Sequence, residues 1–312
     1  MKKQTSPTTV AGLALATAAC IAGTDPILRE RLPFSDGMKN EVVVHSKGKV
    51  HYDFAVRQAG GKLVEIGTRS GASEEDFTNS LGDRTAAVLY FYNPSLMAGQ
   101  VTVERAVELV KNRNIPLIVD AAAQIPPVEN LWRFAEMGAD LVLFSGGKGL
   151  CGPQSSGLML GRADLIDAAV FNACPRPFIG RPMKAGKEEI VGLMAAVRRY
   201  LDLDHDELMA SYEDQVQRIV DAFSDCPNVD VRRSFPSEAG QPMPRAEIIL
   251  DGQSLGTRRD DILEELLSGE PGISLAPSGA NGIYINPQTL RPGDIEIIIP
   301  RLAEILRPLI SR

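Results

Sequence analysis

Short apolar runs alternate with amphipathic stretches through the first half of this chain. Runs at residues 41–45 (EVVVH), 62–66, 86–92 (AAVLYFY), 115–119, 139–144 and 156–160 predict strands. Between them, residues 10–22, 52–59, 74–81, 103–114 and 131–137 predict helices. In the fourth helix Val103, Ala106, Val107 and Val110 share one face. Gly60-Gly61 ends the second helix, and Asn93-Pro94 stops the third strand. Continuously apolar strands are buried on both faces, so this rhythm predicts an α/β fold whose mostly parallel sheet is covered by helices.

The pattern changes after Ala163. Residues 172–187 (NACPRPFIGRPMKAGK) are rich in proline and basic side chains and predict a loop. Helices follow at 188–201, 206–224, 259–267 and 294–309, with short strands near 229–232, 246–250 and 282–285. The expected organisation is a large domain over 1–186, then a linker helix and a smaller α+β domain over 187–312. No internal repeat or low-complexity tract interrupts it.

Two of the apolar strands lead into charged residues. One ends on Asp120, and the other runs into Ser145-Gly146-Gly147-Lys148-Gly149. The acid and the lysine are 28 positions apart (148 − 120). In an open α/β sheet, ligands bind at the carboxyl ends of the strands. A lysine that forms a Schiff base and an acid that pairs with a pyridinium nitrogen are what pyridoxal 5'-phosphate (PLP) chemistry requires. A strand-end lysine is expected to be partly desolvated, which favours its nucleophilic amine, and the glycines leave room for a cofactor ring. Without this pairing, Lys148 reads as a surface residue of a glycine loop and Asp120 as a helix cap.

Other candidates surround this pair. Ser145 is placed to reach a cofactor phosphate or to serve the turn. Gln124 is placed near a ring hydroxyl or substrate, or in a solvated loop. Thr5, Ser6, Pro7, Thr8 and Thr9 open the first helix, where hydroxyls and free N–H groups make either a phosphate cup or a simple cap. Arg176, Arg181, Lys184 and Lys187 form a basic group suited to a carboxylate or phosphate, with Arg181 and Lys187 as the substrate-binding candidates. His45 and His51 are candidates to stack on a cofactor ring.

Composition narrows the classes. The 312 residues are 44% hydrophobic and 23% charged, as in a soluble globular protein. A net charge of −7 argues against a nucleic-acid binder. Cys20, Cys151, Cys174 and Cys226 form no CxxC pair, and with three histidines they make no zinc-type cluster, so no metal is expected. Reduced thiols point to the cytoplasm. Met1-Lys2-Lys3 and the apolar run at 10–23 superficially resemble a signal peptide. That run is too short to span a bilayer and reads as an interior helix, so no membrane is expected.

Four segments then carry a family resemblance: DAAAQIPP (120–127), NLWRFAEMGADLVLFSGGKGLCGPQSSGLMLGRADLI (130–166), GRPMKAGKEEIVGL (180–193) and INPQTLRPGD (285–294). They resemble the fold-type-I PLP enzymes related to selenocysteine synthase, the L-seryl-tRNA(Sec) selenium transferases. The closer likeness is to the branch containing D-glucosaminate-6-phosphate ammonia-lyase. It extends over nearly the whole chain from Thr5.

The resemblance implies the PLP-dependent transferase-like fold with a seven-stranded-type sheet. It implies Lys148 as the cofactor lysine, Asp120 as the ring-nitrogen partner, and residues 5–20 as the phosphate cup and first helix. Relatives carry a segment before that cup, so this chain is expected to lack it. Pro7 stands where the family has glycine, Gly48 where relatives have a histidine, and Cys151 where they have arginine or glycine. The implied activity is α,β-elimination, of the ammonia-lyase or dehydratase type, on a small amino acid or phosphorylated amino sugar acid. The implied assembly is a homodimer or larger homo-oligomer. A selenium-transferase reaction on seryl-tRNA and a PLP-binding protein of little activity are the alternatives.

Overall fold

The computed structural model describes residues 2–6 and 8–310, with side chains described from 8 to 306. The described chain forms two compact units. The first takes residues up to Asp202 together with Ala239–Gln241, and the second takes Leu203–Glu238 and the rest.

The first unit contains β1 (Lys2–Ser6), α1 (Thr9–Ala22), α2 (Pro26–Arg31), β2 (Glu41–His45), α3 (Phe54–Gln58), β3 (Lys62–Ile66), α4 (Glu74–Asn79) and β4 (Thr85–Phe91). It continues with α5 (Val103–Val110), β5 (Leu117–Asp120), α6 (Asn130–Glu136), β6 (Leu141–Ser145), β7 (Gly157–Gly161), α7 (Ala163–Asn172) and α8 (Lys187–Asp202). The strands form one seven-stranded sheet in the order β1-β7-β6-β5-β4-β2-β3. Strands β3, β2, β4, β5 and β6 are mutually parallel, and β7 runs antiparallel between β6 and β1. The expected α/β class and mostly parallel sheet are therefore borne out.

Register decides which side chains share a face. Val44, Leu89, Ile118 and Leu141 lie side by side across four strands. All four pack into the core that includes Leu13, Leu15 and Ala18 of α1. Strand side chains alternate faces. The row two residues further along, Phe91–Asp120–Leu143–Met159, therefore returns to the α1 face. The row between them, which holds His45 and Tyr90, points to the opposite face.

Helix α1 is buried on nearly every side because it packs on the sheet and against α7 and α3. Its interior Thr17 is satisfied by donating to the Leu13 carbonyl at 2.8 Å. Thr8 caps it, accepting from the Ala11 N–H at 3.0 Å. No helix among the described residues is long and apolar enough to cross a membrane.

The second unit contains α9 (His205–Phe223), β8 (Val229–Ser234), β9 (Arg245–Leu250), α10 (Gly252–Leu255), α11 (Arg259–Leu267), β10 (Ala276–Ser278), β11 (Gly282–Ile285) and α12 (Asp294–Ile310). Its strands form an antiparallel sheet in the order β10-β11-β9-β8. Val216, Ile219 and Phe223 of α9, Ile262 of α11 and Leu302 of α12 pack on Ile248 and Ile283. This is the small α+β layer that the pattern predicts.

Candidate functional site

The carboxyl ends of the parallel strands gather the candidate residues at one edge of the first unit's sheet. Asp120 is the last residue of β5 and is only 8% exposed. Its Oδ1 accepts from the Ala122 N–H at 3.0 Å. Burial pushes its pKa up from 3.8 to about 6, outweighing the opposing effects of that N–H and of the Lys148 charge. No ion pair within salt-bridge distance reaches it among the described residues.

Lys148 lies on the turn after β6, held by bonds from the Gly146 N–H to the Ser156 carbonyl and from the Cys151 N–H to the Lys148 carbonyl. The side chain is exposed, which corrects the expectation of partial desolvation. The reason is local: the strand ends at Ser145, and the lysine sits three residues beyond it. The glycines also have a different cause from the one expected. A Cβ on Gly146 would come within 2.0 Å of the Ser156 hydroxyl, and one on Gly149 within 2.2 Å of the Ile125 carbonyl. Protein, not ligand, fills the space they leave. Leu193 and Ala196 of α8 back the same turn, each within contact distance of a Cβ built on Gly146 or Gly152.

Ser145 is half-buried on the Asp120 face of the sheet, with its backbone N–H on the Ala122 carbonyl. It lies in register with Gly157, which in turn pairs with Ser6 of β1. Ser145, Ser6 and the Thr8 cap thus occupy one end of the sheet. Thr5 pairs with Leu158 through its backbone, and the side chains of Thr5 and Ser6, like Pro7, lie outside the described residues. Thr9, the first residue of α1, is buried, and its hydroxyl has no hydrogen-bond partner among the described residues.

Gln124 is buried rather than solvated. Its side-chain amide donates to the Ala239 carbonyl at 3.0 Å, while its own carbonyl accepts from the Asn130 amide at 2.7 Å. His45 is buried on the sheet face opposite Asp120. Its Nε2 is 3.1 Å from the Tyr90 hydroxyl, which donates to the Val101 carbonyl. Burial lowers its pKa to about 4. Its position one residue out of step with the Asp120 row removes it as a partner on that face. His51 is exposed.

The basic side chains of the loop make local contacts. Arg176 stacks over Phe171 at 4.5 Å and donates to the Val170 carbonyl. Arg181 contacts the Cys174 sulfur, and exposed Lys187 lies 3.9 Å from Glu188. Cys151 holds a left-handed backbone with φ of 54° and is exposed, as a turn residue.

The residues present fit PLP. Asp120 is a buried carboxyl that has an N–H bond but, among the described residues, no cation bonded to it, which is the partner a pyridinium N–H requires. The unpartnered Thr9 hydroxyl at the head of α1 suits a phosphate oxygen. The sheet and its acid–lysine edge thus agree with the fold-type-I PLP enzymes that the sequence resembles, and the relatives of the chain make it a PLP-dependent enzyme.

The comparisons name the family. A family model described as SelA, L-seryl-tRNA selenium transferase, matches residues 48–211. The chain is 31% identical over 304 residues to D-glucosaminate-6-phosphate ammonia lyase of Salmonella typhimurium (strain 14028s / SGSC 2262), covering 95% of this chain and 78% of that one. It is 30% identical over 307 residues to a 5'-C-glycyluridine monooxygenase-decarboxylase of a Streptomyces species, covering 95% and 74%. A solved D-glucosaminate-6-phosphate ammonia-lyase superposes with a TM-score of 0.83 at 29% identity, covering 98% of this chain and 82% of that one. The chain belongs to the SelA (L-seryl-tRNA selenium transferase) family.

Proposed function

We propose that this protein is a PLP-dependent lyase that catalyses α,β-elimination on a small amino acid or phosphorylated amino sugar acid, releasing ammonia. The observation that carries this reading is the likeness to the ammonia-lyase along nearly the whole chain, in sequence and in fold. When bound, the cofactor supplies an electron sink for charge developing at the substrate α-carbon.

Lys148 would hold the cofactor through Nζ and, once displaced by the substrate amine, accept the α-proton there as general base. Asp120 would keep the ring nitrogen protonated by pairing with it from the end of β5. Thr8, Thr9 and Ser145 would hold the phosphate, with Thr5 and Ser6 beside them on β1. Arg181 and Lys187 are the proposed substrate-anion groups. Both are exposed, so a ligand or a second copy of the chain in a homo-oligomer could reach them.

The Streptomyces relative favours a second reading, oxidative decarboxylation, at nearly the same identity. A panel of amino acids and phosphorylated amino sugar acids, assayed with and without oxygen, separates the two. Ammonia release that is independent of oxygen supports the lyase. Oxygen-dependent release of carbon dioxide overturns it.

A further inference from the structure

Three residues far along the chain, Ala239, Gly240 and Gln241, belong to the first unit. Two buried glutamines clasp them there. The Gln124 amide donates to the Ala239 carbonyl at 3.0 Å, and the Gln241 amide donates in the reverse sense to the Ile125 carbonyl at 2.6 Å. Gln124 is 3% exposed and Gln241 is 4% exposed. Gly240, between the bonds, has φ of 75°, and a Cβ there would come within 2.7 Å of the Asn93 side chain. The segment is thus pinned between the loops that follow β4 and β5.

Its anchors are those of the candidate site. The loop after β5 begins at Asp120, and the Ile125 carbonyl that receives Gln241 is the atom against which Gly149, next to Lys148, is packed. From this geometry we infer that residues 239–241 are a strap across the β4 and β5 ends, and that Gln124 and Gln241 are positioning residues. They fix the Asp120 loop and the Lys148 turn relative to one another and keep water from the acid. Neither is assigned to touch the cofactor, and this replaces the reading of Gln124 as a ring-hydroxyl partner. The inference deepens the proposed function, because it rests on Asp120 serving the ring nitrogen.

The physical argument is one of buried polar groups. A glutamine amide out of water is stable only when bonded, and removing one donor also takes that bond from the carbonyl it serves. Breaking either bond releases the same segment, so the two should act as a unit, not additively.

The test uses the PLP-loaded protein and the variants Gln124→Leu, Gln241→Leu and the double variant. Each single change should speed cofactor loss about tenfold, the effect of one buried hydrogen bond. The double variant should lose little more. Backbone amides at 121–125 should exchange faster in all three, with and without cofactor, while the visible band of the bound cofactor keeps its position. The pH at which the protein gives up PLP should shift downward, since a hydrated Asp120 facing only the Lys148 charge ionises more easily. Gln241→Met, which keeps the length and removes the donor, should behave like Gln241→Leu and covers the case in which leucine impairs folding. A band shift in Gln124→Leu with normal retention in the Gln241 variants overturns the strap. If Asp120→Asn binds PLP as the natural chain does, the underlying site assignment fails, whatever the exchange data show for the strap.

Discussion

The ends of β5 and β6 are neighbours in one sheet, and each follows an apolar strand with a charged residue, yet they are built differently. Asp120 is the final strand residue, buried under a loop that Asn130, Gln124 and the 239–241 segment hold down. Lys148 stands on a turn packed from beneath by Ser156, Ile125 and α8, and its side chain is exposed. The acid is thus preorganised at the cost of desolvation, and the lysine is placed but uncovered. The difference shows that a strand-end charge is buried by what lies over the following loop, not by the apolarity of the strand before it.

The comparison can be broken most sharply at the lysine. Lys148→Ala should abolish the visible band of the PLP-loaded protein and cut turnover by at least about a hundredfold, the scale of a lost general base. Thermal stability should hardly change, since the exposed amine supports no core. Full activity in this variant would remove Lys148 from the chemistry.

The turn beneath it should respond oppositely. Gly146→Ala places a methyl 2.0 Å from the Ser156 hydroxyl and 2.9 Å from Leu193. It should destabilise the chain by about 1–3 kcal/mol in denaturant unfolding, as overpacking does, and weaken PLP binding with it. A neutral effect would show that the turn is not tightly packed.

A third prediction contrasts the two sheet faces through pH. Between 3.8 and about 6 the folded cofactor-free chain keeps a proton on Asp120 that the unfolded chain has released. Stability from this group therefore falls as pH rises through that window, by about 3 kcal/mol in all. His45 acts in the opposite sense. Between about 4 and 6.5 the unfolded chain holds a proton that the buried imidazole has lost, so its contribution rises with pH by a similar amount. The two slopes nearly cancel in the natural chain. Asp120→Asn should unmask a rise in stability from pH 4 to 6.5, and His45→Phe should unmask a fall. Equal, flat profiles in both variants would mean that neither group is desolvated.

The smallest effect expected is at Ser145. Ser145→Ala should weaken PLP binding by up to about tenfold, the loss of one phosphate hydrogen bond, with the fold intact. Unchanged affinity would assign the hydroxyl to the turn alone.

Much of this arrangement is legible in the residue pattern. The runs ending at Asp120 and Ser145 are among the observed strands, and the helix at 259–267 and the strand at 282–285 match residue for residue. Strand β1, helices α2, α7 and α10 and strand β10 escaped the pattern. Of these, β1 lies in a polar segment that reads equally well as a cap, and its antiparallel partner is far along the chain, Lys2 pairing with Gly161 and Ser6 with Gly157. The same limit hid the glutamine clasp, whose partners are about 115 residues apart and carry no local signal. It also hid the true role of the glycines, which depends on Ser156 and Ile125 approaching them. His45 shows a subtler gap. Its place near a strand end was visible, but the face it takes follows from register, which only the assembled sheet supplies.

The central claim is that the Lys148 turn and the Asp120 strand end form one cofactor site. Borohydride reduction of the PLP-loaded protein, followed by digestion and mass mapping, tests it directly, because reduction fixes the cofactor to the lysine that holds it. The account predicts a single pyridoxyl label on Lys148, strongly reduced in Asp120→Asn. A label on any other lysine, or labelling indifferent to Asp120, would contradict it.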